Sequence, residues 1–252
     1  MSRRRFFVPE DSIRDGVASL PADQVHHLRN VLRLRSGDEV EVFDGQGGGY
    51  SGEVDFQDTG MLVRGLRRID TPEPLVRIVL AAALIKSSKY ELVLQKATEL
   101  GVQEIMPLQT KRSDPGLSGG KIAARLQRWD RIVVEASKQC RRSCLPRIHA
   151  PQSFPDFLSR KDLSGSARFM LYEKASEPWN PDPAAFSGGA VLCIGPEGGW
   201  DDGEVEQANA AGYETFSLGP WILRAETAAI AALSVVQHYV HLSTVGSPNR
   251  GS

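Results

Sequence analysis

The pattern of hydrophobic and polar positions divides the chain into two parts, before and after the segment "TPEP" at residues 71–74. In the first part, apolar and polar residues alternate in "DEVEVFDG", which ends in Asp-Gly and predicts a strand entering a hairpin. "YSGEVDF" and "GMLVRGL" predict further short strands, and "PADQVHHLRNVLRLRSGD" has apolar residues at helical spacing. The first part therefore predicts a small β-barrel that carries one helix.

The second part alternates strands with helices. It begins with "VRIVLAAALI", a continuous apolar run that is typical of a strand buried on both faces. Helices are predicted at "YELVLQKATELGV", "RWDRIVVEASKQCRR", "DDGEVEQANAAG" and "AETAAIAALSVVQHYVHL". Strands are predicted at "RFMLYE", "AVLCIG" and "YETFSLG". This order predicts an α/β domain with a mainly parallel sheet.

The proline-rich "TPEP" segment is stiff and marks the predicted domain boundary. We predict a β-barrel domain over residues 1–72, an α/β domain over 73–246 and a disordered tail over 247–252. No apolar run reaches the length of a membrane span, and the N-terminal "MSRRRFFVPEDS" lacks the apolar core of a secretory signal. Three cysteines without metal-ligand spacing fit a reduced, cytoplasmic protein better than a disulfide-bonded one.

Charge is distributed unevenly, although the formal net charge is only −1. Residues 86–147 contain 13 Lys and Arg against 6 Asp and Glu, whereas residues from 148 onward contain 6 against 12. A basic middle segment in a neutral protein is consistent with a local nucleic-acid surface. The alternative explanation, which charge alone favours, is a solvated helix face.

Several common catalytic motifs are absent from the sequence. "GGGYSG", residues 47–52, has the spacing of a dinucleotide-binding loop, but the strand "GEVDF" follows where that motif requires a helix, so a hairpin turn is predicted. No P-loop, Cys/His metal constellation or serine nucleophile elbow is present. These features argue against a dehydrogenase, an NTPase, a metal site and a serine hydrolase.

Two glycine-proline loops follow predicted strands, at the carboxyl ends where parallel sheets bind ligands. "IGPEGG", residues 194–199, combines glycines that permit close approach with the unpaired amides of the next helix. Its spacing is not that of a phosphate loop, which favours a bound group that is mostly apolar or zwitterionic. In "SLGPWILRAET", Arg224 and Glu226 stand at the start of an almost wholly apolar helix, which predicts burial on all sides. The alternatives for these two residues are a structural ion pair and helix-dipole compensation.

The two loops together resemble the SPOUT class of knotted methyltransferases, and most closely the RsmE family, which methylates N3 of a uridine in 16S ribosomal RNA. The resemblance spans nearly the whole chain. Beside "IGPEGGW" and "LGPWILRAETA", it is carried by "RRFFV", "HHLRNVLRLRSGDEVEVFDGQGGGY", "ELVLQKATELGVQEIMPLQTKRS" and "RWDRIVVEASKQCRR", in the family's order.

The resemblance implies a PUA-like barrel that helps to bind RNA, followed by a domain whose chain forms a deep trefoil knot. It implies the cofactor S-adenosylmethionine, no metal, and a homodimer in which both subunits shape the site. The implied cofactor-binding residues are Leu171, Ile194, Gly195, Pro196, Gly198, Gly199, Leu218, Gly219, Ile222, Leu223 and Thr227. Arg224 is the candidate for stabilising negative charge on the uracil oxygens, and Glu226 or Glu197 is the candidate base.

Uracil N3 lies on the Watson–Crick edge, so the target base must be unpaired or extruded. The expected phosphate contacts, which would make binding strongly salt-dependent, are Arg3, Arg4, Arg5, Lys86, Lys89, Lys111, Arg112, Lys138, Arg141 and Arg142. Trp221 stands where the family usually has Arg, and it could stack on a base or on adenine, or merely pack. The alternative functions are methylation of another RNA site or of a ribose, and a non-catalytic RNA-binding role in ribosome assembly.

Overall fold

The computed structural model describes residues 4–21, 33–58, 60–72, 74–114, 121–176 and 179–245. Contacts between Cα atoms divide the chain into two compact units. Unit 1 comprises Met1–Glu73 with Ser137–Leu145, and unit 2 comprises Pro74–Ala136 with Pro146–Ser252. The helix predicted from "PADQVHHLRNVLRLRSGD" and the predicted tail lie largely outside the described residues. The domain boundaries taken from the sequence stay predictions.

Unit 1 is built on a sheet that follows the alternating segments of the sequence. Among the described residues its strands are β1 (Arg5–Phe7), β2 (Ile13–Arg14), β3 (Val17–Pro21), β4 (Glu39–Phe43), β5 (Gly49–Gln57) and β6 (Gly60–Arg68). Their order is β1-β4-β5-β6-β3-β2, with β1 parallel to β4 and the other neighbours antiparallel. The hairpin predicted at the glycine-rich segment is confirmed, because β4 and β5 pair directly across it.

Alternation along these strands places one side of the sheet in a common core. The register between β5 and β6 shifts between Ser51 and Glu53, a bulge that bends the ladder. The buried apolar residues are Phe6, Val8, Ala18, Leu20, Leu34, Val40, Val42, Val54, Met61 and Val63. In β4 the predicted period of two places Val40 and Val42 in this core, but Glu41 and Phe43 on the other face are buried as well.

Unit 2 alternates strands and helices, as predicted. Its described strands are β7 (Ile78–Ala83), β8 (Glu104–Gln109), β9 (Arg147–Ile148), β10 (Gln152–Ser153), β11 (Ala167–Leu171), β12 (Ala190–Ile194) and β13 (Glu214–Phe216). Its described helices are α1 (Ser87–Glu99), α2 (Lys121–Cys140), α3 (Phe154–Leu158), α4 (Asp202–Ala210) and α5 (Ala225–Val245). The last turn of α2, from Ser137 onward, belongs to unit 1.

The sheet of unit 2 is parallel throughout its described pairs. The strands lie in the order β10-β8-β7-β12-β11-β13, and β9 also pairs with β8. Residues of β7 alternate between two cores, with Ile78 and Leu80 facing one and Val79 and Ala81 facing the other. Helices α1, α2 and α5 cover the first face, and α3 and α4 cover the second. The burial predicted for "VRIVLAAALI" on both faces is therefore confirmed.

The prediction that α5 is buried on all sides is wrong. The helix packs one face into the first core, through residues at helical spacing such as Ala225 and Leu233. Thr227 is exposed on the opposite side, and Leu242 is 46% exposed. The helix therefore keeps a partly apolar face outside the core of its own chain. Within the described ranges, no helix is both long enough and apolar enough to cross a membrane.

The parallel topology places the carboxyl ends of neighbouring strands at one edge of the sheet. Lys86 follows β7, and Lys111 and Arg112 follow β8. The two glycine-proline loops follow β12, which is next to β7, and β13, which is separated from β12 by β11, at the same edge. Segments that are far apart in the sequence are therefore brought together by strand order alone.

Candidate active site

A cavity of about 590 Å³ lies at this edge, among the loops that follow β11, β12 and β13. Its volume is in the range of small-molecule sites, roughly 300–1,000 Å³. The wall nearest the sheet is buried, as at Ile194 and Ala228, whereas Glu197, Trp221 and Arg224 are exposed and form the mouth. The lining residues are Lys89, Leu171, Glu173, Ile194, Gly195, Pro196, Glu197, Gly198, Gly199, Trp200, Ser217, Leu218, Trp221, Ile222, Leu223, Arg224, Ala225 and Ala228.

The loop after β12 takes its shape from packing within the protein. A Cβ atom at Gly195 would lie 2.9 Å from Nε1 of Trp200, so a side chain there would collide with the buried indole ring. Nε1 of Trp200 donates a 3.0 Å hydrogen bond to the carbonyl oxygen of Leu171, which ties this loop to the end of β11. Gly199 has φ +70°, in the left-handed region that glycine accepts without strain. The glycines predicted to admit a ligand therefore also serve the internal packing of the loop.

The far end of this loop is held by the start of α4 and by two cations that follow β8. Asp201 caps α4, and Glu204 completes a capping box. Lys111 Nζ donates to Asp201 Oδ1, and this hydrogen bond lowers the pKa of the Asp201 carboxyl. Arg112 Nη1 donates a 3.1 Å hydrogen bond to the carbonyl oxygen of Gly198. Both cations therefore fix the loop that lines the cavity.

The loop after β13 carries three consecutive apolar side chains to the mouth of the cavity. Trp221 is 82% exposed, Ile222 is 86% exposed and Leu223 is 36% exposed. The turn before them is closed by Ser217, whose Oγ donates a 2.9 Å hydrogen bond to the carbonyl oxygen of Gly219. The loop is thus ordered by local hydrogen bonds while its apolar side chains stay in contact with solvent.

Arg224 and Glu226 differ in their surroundings, although only one residue separates them. Arg224 is exposed, and its guanidinium forms no hydrogen bond or salt bridge with a described residue, so the structural ion pair considered for it is absent there. Its backbone carbonyl oxygen accepts a 2.8 Å hydrogen bond from Ala228 N and so opens α5. Glu226 is half-buried in the first turn, and its Oε2 is buried with no hydrogen-bond partner among the described residues. Neither charged residue is therefore fully buried, contrary to the sequence prediction, although Ala225 between them is buried.

Glu197 forms a salt bridge with Lys89 at the mouth of the cavity, with 2.6 Å between Oε1 and Nζ. Lys89 lies on α1, which follows β7, so the pair joins two neighbouring strand ends. The hydrogen bond from Lys89 and the positive charges of Lys89, Lys86 and Arg224 lower the pKa of the Glu197 carboxyl. A carboxylate with a lowered pKa is a poor proton acceptor near neutral pH. The geometry therefore favours a role for Glu197 in positioning.

The cavity brings together most of the predicted site residues. Every residue predicted to bind the cofactor lines it except Gly219 and Thr227. Of the candidate catalytic residues, Arg224 and Glu197 line it and Glu226 does not. Reasoning from the sequence did not single out Glu173, Trp200, Ser217, Ala225 or Ala228 as lining residues, nor Lys89 as part of the cavity. Glu173 was detectable, because it comes just after the strand "FMLY" that the sequence placed at the same edge.

Comparison with protein families identifies the domain to which this cavity belongs. A family model described as an RNA methyltransferase domain matches residues 71–237, which is more than half of the chain. This chain belongs to the RNA methyltransferase family. Every residue that lines the cavity falls inside the matched range, so the cavity is part of the methyltransferase domain. A second model, described as an RNA methyltransferase PUA domain, matches residues 20–55.

Individual RNA methyltransferases resemble the chain over most of its length. Ribosomal RNA small subunit methyltransferase E from Synechocystis sp. is 34% identical, over 92% of this chain and 76% of that protein. The protein of the same name from Bacillus subtilis is 31% identical, over 89% of this chain and 91% of that one. The crystal structure of a ribosomal RNA small subunit methyltransferase E from Neisseria gonorrhoeae, bound to S-adenosyl methionine, superposes with a TM-score of 0.83. Its sequence is 30% identical, and the match covers 94% of this chain and 98% of that one. The predicted family and fold class are confirmed.

In the methyltransferase domain, the predicted RNA-binding cations line up along the carboxyl edge of the sheet. Lys86 and Lys111 are exposed, as is Arg112, and Lys89 is half-buried at the cavity mouth. Lys111, Arg112 and Lys89 already contact acidic or carbonyl groups of the loop after β12. Lys111, Arg112 and Lys89 therefore hold this loop, and Lys89 also presents positive charge at the cavity.

In unit 1 of the methyltransferase, two of the predicted RNA contacts are corrected. Arg5 is 8% exposed and Arg142 is 7% exposed, and burial lowers the pKa of both guanidinium groups. Arg5 Nη2 donates a 2.6 Å hydrogen bond to Ser143 Oγ, and its guanidinium lies 4.7 Å from the ring centroid of Phe43. A side chain enclosed in this way cannot reach an RNA phosphate, so Arg5 and Arg142 belong to the interior.

The other predicted contacts in unit 1 have mixed surroundings. Arg141 is exposed and pairs with the buried carboxylate of Glu41, at 2.6 and 2.7 Å from its Nη2 to the two oxygens. Lys138 is half-buried and Arg4 is exposed, while Arg3 lies outside the described residues. Over the part of the chain that the structure describes, no His, Cys, Asp and Glu cluster could hold a metal ion, and the cysteines are free thiols.

Proposed function

We propose that this RNA methyltransferase transfers a methyl group from S-adenosylmethionine to N3 of a uridine in 16S ribosomal RNA, acting as a homodimer in the cytoplasm. The observation that supports it most directly is the cavity, in which the guanidinium of Arg224, without a partner among the described residues, stands at the mouth of a partly apolar pocket. The relatives from Synechocystis sp. and Bacillus subtilis are named for the small-subunit ribosomal RNA. The relative from Neisseria gonorrhoeae is bound to S-adenosyl methionine.

The lining of the cavity fits S-adenosylmethionine. The cofactor combines an adenine ring with a positively charged sulfonium and a zwitterionic amino-acid end. Apolar groups of Leu171, Ile194 and Leu218 suit the ring, and the carboxylates of Glu173 and Glu197 suit the positive charges. When bound, the cofactor supplies an electrophilic methyl group. The chain itself has to hold the uracil, remove the proton on N3 and exclude water.

Arg224 is the residue that we propose to stabilise the uracil as it loses its N3 proton. The developing negative charge is shared with the two carbonyl oxygens of the ring, and a guanidinium can donate two N–H groups to one of them, which leaves N3 open to the methyl group. Its side chain is exposed and has no salt bridge among the described residues, so it is available without breaking an existing pair. Glu197 lines the same mouth, and the positive charge of Arg224 contributes to the lowered pKa of its carboxyl.

Glu226 is our proposed proton acceptor, in preference to Glu197. Glu197 is engaged by Lys89 and has a lowered pKa, which makes it a weak base. Glu226 Oε2 has no hydrogen-bond partner among the described residues. It can therefore accept a proton without breaking an existing hydrogen bond. Glu226 does not line the cavity, but only Ala225 separates it from Arg224 in the sequence. The proposal therefore requires the Glu226 carboxylate to turn toward the uracil when the RNA binds.

The exposed face of α5 supports the proposed homodimer. Leu242 is 46% exposed, and the face opposite the core carries further apolar residues that are only partly covered. Apolar area of this kind gains stability when a second chain covers it. Sedimentation at several protein concentrations tests the assembly directly.

The function is tested by methyl transfer to small ribosomal subunits from a strain that lacks the endogenous modification. We expect one uridine to gain a methyl group at N3, identified by digestion and mass spectrometry of the nucleosides. Methylation of a ribose or of another base would contradict the proposed specificity, but the protein would still be an RNA methyltransferase. Failure of calorimetry to detect cofactor binding would contradict the enzyme itself and favour a non-catalytic RNA-binding role.

A further inference from the structure

Trp221 differs from the other tryptophans of the chain in its exposure. Trp129 and Trp200 are buried, and Trp179 is half-buried with its ring stacked on Phe216 at 4.1 Å. Trp221 is 82% exposed on the loop after β13, although it lines the cavity. Leaving a ring of this size in water forgoes the burial that would otherwise stabilise the fold. The ring therefore contributes little to the packing of its own chain.

The residues around Trp221 indicate the chemistry of what would cover it. Arg224 stands three residues away at the same mouth, and Lys89 lines the same cavity. The charge of Lys86 also reaches this place, since it acts on Glu197 there. These three cations outnumber the two carboxylates that line the cavity, Glu173 and Glu197, so an anionic partner is favoured. An exposed aromatic ring among cations is the arrangement that single-stranded nucleic acids recognise, through base stacking and phosphate contacts.

The cavity has a buried side and an exposed side, and either could hold a flat ring. The wall next to the sheet, at Ile194 and Ala228, is enclosed, and it suits the small cofactor of the proposed function. Trp221 lies at the opposite, solvent side, where a macromolecule must enter. A base that has left its helix loses its stacking partners, and an exposed indole can replace one of them.

We propose that Trp221 is a stacking platform for an unpaired nucleobase of the RNA substrate, at the mouth of the cavity. This inference rests on the proposed function, because it assumes that RNA approaches this mouth. It assigns Trp221 to substrate binding, not to the chemical step or to the cofactor.

The first test compares Trp221→Ala, which removes the ring, with Trp221→Phe, which keeps a stacking surface, and Trp221→Leu, which keeps only apolar bulk. We expect the KM for small subunits to rise about 5- to 150-fold in the Ala and Leu variants, the effect of one lost base stack. The Phe variant should recover most of the loss. The kcat at saturating subunits and the affinity for S-adenosylmethionine should stay unchanged. Leu75→Ala, at a 58% exposed apolar residue elsewhere in unit 2, is the matched control and should change neither.

The second test does not depend on methyl transfer. Short oligouridylate is titrated while tryptophan emission is recorded, and the emission of Trp221 is isolated as the difference between wild type and Trp221→Phe. We expect quenching by oligouridylate and none by an abasic ribose-phosphate oligomer of equal length and charge. Quenching by S-adenosylmethionine alone would place the cofactor's adenine on Trp221 and overturn the proposal.

Two further outcomes would also overturn it. One is equal KM values for the Leu and Phe variants, which would mean that only apolar bulk is required. The other is dissociation of Trp221→Ala into monomers in sedimentation, which would assign the ring to an interface between copies. If the wild type transfers no methyl group to subunits but oligouridylate still quenches Trp221, then the proposed function fails and the stacking inference stands.

Discussion

Two groups of basic residues, one in each unit, show how differently the same side chains can be used. In unit 1, Arg5 is enclosed by Phe43 and Ser143, and Arg141 neutralises the buried carboxylate of Glu41. In unit 2, Arg224 and Lys86 are exposed at the carboxyl edge of the sheet. The first group satisfies charges that are already inside the protein. The second leaves positive charge available to a partner.

The comparison teaches that a basic segment in a sequence is not yet a basic surface. The excess of Lys and Arg over residues 86–147 includes groups of both kinds, since Arg142 is buried and Lys86 is exposed. Removing one member of a buried ion pair leaves the other charge in a poorly solvated place without its partner, and this lowers stability. Removing an exposed charge at a site costs binding or catalysis instead. Variants can therefore separate the two groups.

The largest effect is expected for Arg224→Ala. Loss of a preorganised cation should lower kcat for methyl transfer by roughly 100- to 1,000-fold, with the affinity for S-adenosylmethionine and the thermal unfolding midpoint almost unchanged. Single-turnover transfer to small subunits and calorimetry measure the two quantities. Arg224→Lys is the matched control, because it keeps the charge without the two-pronged geometry and should recover only part of the rate. A parallel loss of cofactor affinity would instead give Arg224 a structural role.

The corresponding change in unit 1 should affect stability and leave the chemistry in place. Arg141→Ala leaves the Glu41 carboxylate buried without its partner, and we expect a loss of about 1–3 kcal/mol in the free energy of unfolding, since the exposed Arg141 is partly screened by solvent. The measurement is urea unfolding, with kcat per folded molecule as the second observable. Arg64→Ala breaks an exposed pair with Asp55 in the same unit and should cost no more than about 1 kcal/mol. Equal losses in the two variants would contradict the distinction.

A smaller effect is expected for Glu197→Gln. If Glu197 positions Lys89 and the loop after β12, then the rate should fall by less than about 10-fold, whereas loss of a general base costs roughly 100- to 10,000-fold. Glu226→Gln is the comparator and should show the larger loss. The reversed order would identify Glu197 as the base.

The pH dependence of the Glu197–Lys89 pair follows from the lowered pKa of Glu197. Its contribution to stability is fully present above the ordinary pKa of a glutamate, about 4.3, and is lost as the pH falls through the lowered value of the folded protein. The difference in stability between wild type and Glu197→Gln should therefore be constant near neutral pH and should shrink in acid. A difference that grows on acidification would contradict the direction of the shift.

The smallest effect is expected in the salt dependence of RNA binding. Lys86→Gln should lower the slope of log affinity against log salt by about 0.7, the value for one phosphate contact with a single strand. Lys161→Gln is the control, because Lys161 is exposed in the turn before β11, toward the amino ends of the strands. Arg5→Met should leave the slope unchanged, since Arg5 is buried. A changed slope in Arg5→Met would contradict the conclusion that the buried cations of unit 1 do not contact RNA.

Local pattern was sufficient where a strand or helix follows one period. Alternation predicted β4 and β5, and the continuous apolar run predicted β7, because successive side chains of a strand point to opposite faces of the sheet. Strand β8 was missed because Pro107 interrupts its sequence, and proline usually argues against a strand inside a sheet. Strand β8 tolerates Pro107 because the two strands on its outer side are short and neither pairs with this residue. Strand β9 pairs at Glu104 and Ile105, and β10 pairs at Leu108 and Gln109.

The candidate site was predictable in its loops but not in its neighbours. Gly195 and Gly199 were recognised as special, yet the cause at Gly195 is the ring of Trp200, which the sequence cannot place against it. The salt bridge between Lys89 and Glu197 joins residues 108 positions apart, so no local pattern contains it. Both contacts arise from strand order.

The sequence by itself determined the alternation of strands and helices, the two loops at strand ends and the family to which the chain belongs. These features depend on residues close together in the chain, whose periodicity and backbone preferences act locally. The tertiary structure decided which charges are buried, as with Arg5 and Arg142, and which are exposed at the cavity, as with Arg224. The physical reason is that solvent exposure depends on elements distant in sequence, which a parallel sheet brings together only when its strands are ordered.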